Sequence, residues 1–274
     1  MEQFTDITFV YLCVKYVALI GILISSLELL YNWKTYKDDA LFSWKIISST
    51  KTSQHKGIHD FLSFFLKYPN FLGILSVQVI AVLLTFILGN TLETLLIAII
   101  IITTLLINYR SIYGQDGSDQ MSSIILVTLF IYSIDPSNYM IANAGIWFIC
   151  LQAILSYFTA GFYKAKGEKW TTKPNAVFLI FNTSTYGSKP IASVLKDNAP
   201  MTKLLTWSTV VIECTFPLVL ITGYPGMIVF LGWGFAFHLM NALVMGLNSF
   251  FWAFIATYIT IIYCAFQIAE YWIL

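Results

Sequence analysis

Long apolar runs separated by short polar breaks dominate this chain. A helix needs roughly 20 mostly apolar residues to cross a bilayer, because each backbone amide in the hydrocarbon must be hydrogen-bonded within its own segment. Eight runs come close to that length, and we predict a helical span in each of them. The predicted spans are residues 7–31, 69–89, 91–109, 119–135, 140–164, 203–222, 225–246 and 249–272.

This pattern predicts an all-α protein, a polytopic transmembrane helical bundle with about eight spans. Residues 1–274 are expected to form a single integral membrane domain. Two longer polar segments, 32–68 and 165–202, are predicted to be loops. The second contains the apolar stretch 176–181, which is too short to span and is expected to lie in the interface or to re-enter the bilayer partway.

Lysine and arginine are distributed unevenly between the two sides of this arrangement. With eight spans, the loops 32–68, 110–118 and 165–202 lie on the same side and carry the basic loop residues, while the opposite loops carry none. Cytoplasmic loops are enriched in Lys and Arg, so the basic side is expected to face the cytoplasm. The chain is therefore predicted to be a multi-pass protein of the cell membrane with both termini outside.

Composition narrows the class of protein further. Hydrophobic residues make up 58% of the chain and charged residues 11%, whereas soluble domains carry about 25% charged residues. Membrane lipid is therefore the expected partner, and the net charge of +1 without a clustered basic face excludes a nucleic-acid-binding protein. The acidic residues 1–6 lack the basic start of a signal peptide, so the first apolar run is expected to remain as a span.

No metal site is predicted from the cysteines and histidines. The four cysteines lie inside apolar segments without a CxxC pair. His55 and His59 are four residues apart in the first loop without an HExxH pattern, which favours a solvated pair over a ligand set.

Ionisable residues at membrane depth need a physical reason, because a charge at the centre of the bilayer costs several kcal/mol. Lys203, Glu93 and Glu270 lie near span ends and are predicted to reach the headgroups. Lys15 lies deeper, and both a buried ion pair and a functional role remain open for it. Pro217 deprives the carbonyl of Glu213 of its helical donor, which favours a kink with a polar lining.

A polar stripe follows the fifth span. Gln152, Ser156, Thr159 and Tyr163 are spaced by four, three and four residues, which places them on one face of a helix. Two interpretations remain open. The stripe forms hydrogen bonds between helices, or it is one wall of a polar cavity.

Two motifs on separate spans carry a family resemblance. Residues 157–164 read YFTAGFYK and are followed by Trp170, and residues 237–241 read FHLMN. Taken together they resemble the Y-F-x-A-G-x-x-K…W and F-H-x-M-N segments of the horizontally transferred transmembrane family, which includes vitamin K-dependent γ-carboxylase. The similarity covers about residues 119–252.

The resemblance implies a membrane enzyme with carboxylase-like lyase or oxidoreductase chemistry. In the carboxylases the lysine at the Lys164 position is the base that deprotonates vitamin K hydroquinone. A quinone-like or other lipid-soluble molecule is accordingly expected as cofactor, in a cavity among spans four to seven. The implied catalytic residues are Lys164, His238 and Asp119, with Asp119 orienting the lysine. The implied cofactor-binding residues are Tyr157, Gly161, Trp170, Asn241 and Gln152, with Gly161 leaving room for a flat ring.

The chain departs from the carboxylases in ways that keep other functions open. Residues 118–120 read SDQ where the carboxylases have a histidine in an N-H-S triplet, and no substrate-binding domain is expected after the eighth span. Short bacterial members of the family resemble the B component of the sporulation-delaying toxin system, which helps to mature a secreted antimicrobial peptide. The alternative is therefore a non-catalytic membrane partner in peptide maturation or immunity, with a contact surface around Trp33, Trp44 and Trp170.

Two further points stay open. A small transporter with Glu213, Pro217 and Asp119 along its path is a third hypothesis, although the chain shows no inverted repeat. The resemblance to the carboxylases places the Lys164 end outside the cell, whereas the lysine distribution places it in the cytoplasm.

Overall fold

The computed structural model describes residues 5–50, 56–111 and 116–273. Within these residues the chain forms α-helices, short 3₁₀ turns and loops, without a β-strand, so the predicted all-α class is confirmed. The helices are α1 (Ile7–Tyr31), α2 (Trp44–Thr50), α3 (Lys56–Leu66), α4 (Asn70–Leu88), α5 (Glu93–Arg110), α6 (Gly117–Ile134), α7 (Tyr139–Ala165), α8 (Ala176–Phe181), α9 (Lys189–Asp197), α10 (Ala199–Thr215), α11 (Gly223–Met245) and α12 (Asn248–Ile273).

Eight of these helices are long and apolar enough to cross a membrane: α1, α4, α5, α6, α7, α10 with its 3₁₀ extension Phe216–Leu220, α11 and α12. They coincide with the eight predicted runs. Many large apolar side chains on them point away from the protein, such as Ile87 at 75% and Leu243 at 74% exposed. Such a surface requires a lipid solvent, and the chain is a multi-pass integral membrane protein.

Two of the observed spans begin earlier than predicted, and each has a proline in its first turn. The predicted spans six and seven start at residues 203 and 225, but α10 begins at Ala199 and α11 at Gly223. Pro200 and Pro225 lie in the first turns of these helices, where a missing N–H is tolerated because the first four donors have no partner within the helix.

The chain divides into two compact units, which are described separately. One consists of Met1–Val14 with Asn143–Leu274, and the other of Lys15–Ala142. The expectation of a single membrane domain stays a prediction.

In the unit Lys15–Ala142, α4 packs against α5 and α5 against α6. The described residues of the segment 32–68, predicted only to be a loop, include α2 and α3. One apolar cluster joins them to the start of α4, and its buried members are Tyr36, Trp44, Ile47, Leu66, Phe71, Ile74 and Leu75. Trp44 is buried there and donates through Nε1 to Ser63 Oγ at 2.8 Å.

Arg110 holds this folded segment onto the end of α5. Its side chain is buried and donates to the backbone carbonyls of Leu66 and Phe42, each at 2.9 Å. The guanidinium also lies over the rings of Tyr36 and Phe71, at 4.8 and 4.2 Å from their centroids. Carbonyl dipoles and aromatic faces thus solvate a charge that has left water.

Lys15 and Glu93 form an ion pair within the same unit. Lys15 Nζ lies 2.8 Å from Glu93 Oε2, and the two side chains are 7% and 12% exposed. The ion-pair interpretation of Lys15 is confirmed. The carboxylate of Glu93 compensates the buried ammonium, and its predicted place near the headgroups stays a prediction.

In the other unit, α11 and α12 form a helical hairpin, and the 3₁₀ segment Phe216–Leu220 packs against both. The sharp turn at Gly246 has a φ of 72°, a left-handed conformation that glycine adopts without steric cost. The helices α8, α9 and α10 pack together, so the apolar stretch 176–181 lies in a short helix within a folded segment.

Candidate functional site

One face of α7 carries three of the predicted site residues. Tyr157, Gly161 and Lys164 are separated by four and three residues, so they lie one above another along the helix. Tyr157 is buried and Lys164 is partly buried. This face, and not the neighbouring polar stripe, contacts the other helices of the unit at the sites described below.

Gly161 lies at a close approach of α7 and α10. A Cβ placed on Gly161 would lie 2.6 Å from the backbone nitrogen of Cys214 and 2.8 Å from Cβ of Glu213. The space that the sequence left for a flat ring beside Gly161 is therefore filled by α10. The glycine permits close approach of two backbones, which brings α10 within reach of the next turn of α7.

The close approach of α7 and α10 allows Lys164 to form an ion pair with Glu213. Its Nζ lies 2.5 Å from both carboxylate oxygens, and the side chains are 23% exposed for Lys164 and 3% for Glu213. Asp119 was predicted to orient this lysine, and the carboxylate that binds the lysine in the structure is that of Glu213. Of the two side chains, that of Lys164 is the more exposed.

Two aromatic rings lie close to the amine of Lys164. Its Nζ lies 5.3 Å from the ring centroid of Trp170 and 5.8 Å from that of Phe237. The aromatic faces attract the ammonium and exclude water from it. Trp170 and Phe237 come from the two motifs that carry the resemblance, so the structure brings both motifs to this one amine.

Pro217 determines the backbone around Glu213, as its position in the sequence predicts. Because proline has no N–H, the carbonyl of Glu213 accepts from Phe216 instead, and the chain continues as the 3₁₀ segment Phe216–Leu220. The change of helix type orients Phe216 toward α7, where its ring stacks on Tyr157 at a centroid distance of 3.8 Å.

His238 faces the interior of its unit. The buried residues of α11 are Met227, Phe230, Gly234 and His238, which form one narrow stripe on an otherwise exposed helix. The imidazole Nε2 lies 2.9 Å from Tyr157 Oη, and the ring stacks on Phe254 at 4.6 Å between centroids. Tyr157 Oη in turn lies 3.2 Å from Tyr258 Oη, which makes a hydrogen-bonded chain of three side chains from three helices.

The surroundings of this hydrogen-bonded chain show two further features, a close fit at Gly234 and a ring nitrogen of His238 without a partner. A Cβ on Gly234 would collide with Tyr258 Oη and would lie 3.0 Å from Tyr157 Oη, so the hydroxyls fit against a bare backbone. His238 Nδ1 is buried and has no hydrogen-bond partner among the described residues. A buried polar atom without a partner costs about 1–3 kcal/mol, so it marks a position where a ligand group would be stabilised.

The remaining predicted residues have identifiable places. Gln152 is partly buried on α7, and its carbonyl accepts from Ser156 Oγ at 2.8 Å. Thr159 likewise donates to the carbonyl of Leu155, so the hydroxyls of the polar stripe bond to their own helix. Asn241 is partly buried on α11, three residues after His238. The predicted cofactor-binding roles of Asn241 and Gln152 stay predictions.

Asp119 lies at the start of α6 in the unit Lys15–Ala142, where it has a local structural role. Asp116 Oδ1 accepts from the backbone N–H of Asp119 at 3.0 Å, and Asp119 Oδ2 accepts from the N–H of Asp116 at 3.3 Å. This reciprocal arrangement is a capping box, which satisfies free donors at the helix start. A catalytic role for Asp119 stays a prediction.

The described residues contain no cluster of metal ligands. In residues 5–50, 56–111 and 116–273, no group of three His, Cys, Asp or Glu side chains is placed to hold an ion. His55 lies outside the described residues, and His59 is partly buried beside Ser63 and Trp44.

The sequence was compared with family models, curated proteins and solved structures. No family model matches the chain, and neither the curated proteins nor the solved structures yielded a match. The fold and the geometry of the site define the chain as a multi-pass integral membrane protein with a partly buried lysine–glutamate pair beside a histidine–tyrosine network.

Three contributors to this site were not predicted as part of it. Glu213 was recognised as an unusual charge at membrane depth, without its partner, while Tyr258 and Phe216 were not singled out. The pattern that points to Glu213 is the combination of a carboxylate and a proline four residues later within an apolar run.

Proposed function

We propose that the protein is an enzyme of the cell membrane that removes a proton from a lipid-soluble, quinone-like molecule, with Lys164 as the base. The observation that carries the proposal is the asymmetry of the ion pair. Lys164 is the reachable member at 23% exposure, and Glu213 is sealed behind it at 3%. A reactive amine needs a way to lose and regain a proton, and the enclosed carboxylate supplies it.

The proposed chemistry begins with a proton shift inside the pair. Transfer of the ammonium proton to Glu213 replaces two charges by two neutral groups, which a medium of low dielectric constant favours when a ligand has displaced water. The neutral amine then accepts the proton of a phenolic O–H of the bound molecule. The products are an ammonium and a phenolate, and each stabilises the other.

His238 and Tyr157 are proposed to hold the oxygen of the bound molecule. Their mutual hydrogen bond fixes both rings, and stacking on Phe254 and Phe216 prevents them from turning. The free nitrogen Nδ1 of His238 offers an additional hydrogen bond. A preorganised donor is more effective than a mobile one, because it needs no rearrangement when charge develops on the oxygen.

Absorption spectroscopy of a bound naphthoquinol tests the proposal, because the phenol and the phenolate absorb at different wavelengths. The purified protein in lipid nanodiscs is titrated anaerobically with a reduced naphthoquinone. We expect the wild type to bind the phenolate, and Lys164→Ala to bind the same compound as the neutral phenol. Lys164→Arg is expected to behave like Lys164→Ala, because a guanidinium does not give up its proton.

A lysine two residues further along the chain provides the matched control. Lys166 is exposed and lies over the ring of Phe162 at 4.1 Å, outside the ion pair. Lys166→Ala should keep the phenolate spectrum of the wild type. Absence of binding in the wild type, or an unchanged spectrum in Lys164→Ala, would contradict the proposal.

A second function, that of a non-catalytic partner in the maturation of a secreted peptide, is favoured by the surface of α3. Ile58, Phe61 and Phe64 are 53%, 64% and 59% exposed on this helix, while Phe65 and Leu62 on its other side pack into the protein. Trp44, one of the residues predicted for such a surface, is instead buried. A peptide that co-purifies with the wild type would favour this function if Phe61→Ser loses the peptide and Lys164→Ala retains it.

A further inference from the structure

A second candidate site lies in the segment between α7 and α10, apart from the residues of the ion pair. The segments 172–178 and 195–203 enclose a cleft of about 430 Å³. Its lining combines three lysines, two threonines and an apolar floor, and the lining residues are Thr172, Lys173, Pro174, Asn175, Phe178, Leu195, Lys196, Ala199, Thr202 and Lys203.

The charges around this cleft leave an excess of positive charge. Lys173 Nζ is paired with Glu168 Oε1 at 2.7 Å on the exposed side of the chain. Lys196 and Lys203 come from different helices, the last turn of α9 and the first turns of α10, and both are exposed. The two lysines line one cleft from separate helices, so an anion bound there is attracted by both.

The start of α10 adds to the attraction for an anion. Ala199 and Thr202 belong to its first turn, where the helix dipole places a partial positive charge. Thr202 Oγ1 donates to the carbonyl of Leu195 at 2.7 Å, which fixes the wall between α9 and α10.

The floor of the cleft and its place in the chain identify the kind of anion. Phe178 belongs to the apolar helix α8, and Leu195 is buried at 2% exposure. The lining includes the start of α10, which with its 3₁₀ extension is long and apolar enough to span a membrane, so we expect headgroups and acyl chains to meet beside the cleft. Basic pockets of this type at the cytoplasmic end of spans recognise lipid phosphates.

We propose that this cleft binds the phosphate of an anionic phospholipid headgroup. The lysines neutralise the phosphate, and the apolar floor contacts the first carbons of the acyl chains. The site is independent of Lys164 and of the proposed enzymatic function.

Native mass spectrometry of the purified protein in detergent, titrated with phosphatidylglycerol, tests this inference. We expect one molecule to bind more tightly than phosphatidylcholine, and Lys196→Ala/Lys203→Ala to weaken its binding by about thirty-fold. Each lysine beside an anionic headgroup contributes about a factor of five. Lys196→Arg/Lys203→Arg keeps the charge and should retain the binding.

The matched control is Lys166→Ala/Lys189→Ala, which removes two exposed lysines of the same chain outside the cleft. It should leave the affinity within about two-fold of the wild type. Equal losses in the two double alanine variants would show attraction by general charge and would overturn the proposal. Equally tight binding of glycerol 3-phosphate without acyl chains would also overturn it, in favour of a soluble phosphate ligand.

Discussion

The two units of the chain each contain an ion pair within the spans, and the two pairs differ in their surroundings. Lys15 and Glu93 are enclosed together, at 7% and 12% exposure, and Lys15 contacts one carboxylate oxygen. Lys164 contacts both oxygens of Glu213 and is the more exposed partner, at 23% against 3%.

The difference separates a structural pair from a candidate reactive one. Burial of both charges, as in Lys15 and Glu93, leaves no path for a ligand, so the pair joins α1 to α5. Lys164 is partly exposed and lies beside Trp170 and Phe237, and Tyr157 on the same face of α7 begins the network to His238. A buried ion pair indicates chemistry only when one member remains reachable.

Among the variants that test this comparison, those that lose one carboxylate should show the largest change in the free energy of unfolding. Glu93→Ala leaves the ammonium of Lys15 uncompensated in the membrane and should lower the free energy of unfolding by about 3–5 kcal/mol. Glu213→Ala should cost less, about 1–2 kcal/mol, because Lys164 can extend toward the headgroups. Denaturant titration followed by tryptophan fluorescence measures both variants, and equal losses would contradict the distinction between the pairs.

A smaller effect is expected where α7 and α10 touch. Gly161→Val should destabilise the protein by about 1–3 kcal/mol, because the new side chain collides with the backbone of Cys214 and pushes Glu213 away from Lys164. Gly232→Val on α11 is the control, since a Cβ there meets nothing within 4 Å. Thermal unfolding of both variants is the measurement, and a Gly161 variant as stable as the control would contradict the close contact.

Loss of one hydroxyl should have a moderate effect. Tyr157→Phe leaves His238 Nε2 without its partner and should cost about 1–2 kcal/mol. Tyr163 lies on the same helix and is 72% exposed, so Tyr163→Phe should change stability by less than about 0.5 kcal/mol. If thermal unfolding gave the same midpoint for the two variants, the buried network would not be holding these helices together.

The fold was largely predictable, because a bilayer demands long apolar helices and the sequence displays eight of them. The starts of α10 and α11 were predicted a few residues too late, although the first turn of a helix accepts the prolines Pro200 and Pro225. The folded segment 32–68 was missed, since short amphipathic helices such as α3 depend on tertiary packing against Phe71 and Leu75.

The candidate site was only partly predictable. The motifs identified Lys164 and His238, but the choice of Glu213 as the partner depends on a helix crossing that local sequence does not encode. Asp119 was favoured because of its place in the family resemblance, near the start of the span before that of Lys164, yet Asp116 three residues earlier already marks a capping box. Glu93 illustrates the same point, because its partner Lys15 lies 78 residues away.

The smallest effect on stability, and the most direct test, comes from replacing each whole pair by apolar residues. Lys15→Met/Glu93→Leu and Lys164→Met/Glu213→Leu should both fold with stability close to that of the wild type, because both charges disappear together. Absorption of the bound naphthoquinol should then show phenolate in the first double variant and only phenol in the second. Phenolate in both variants, or in neither, would contradict the assignment of proton transfer to the Lys164–Glu213 pair.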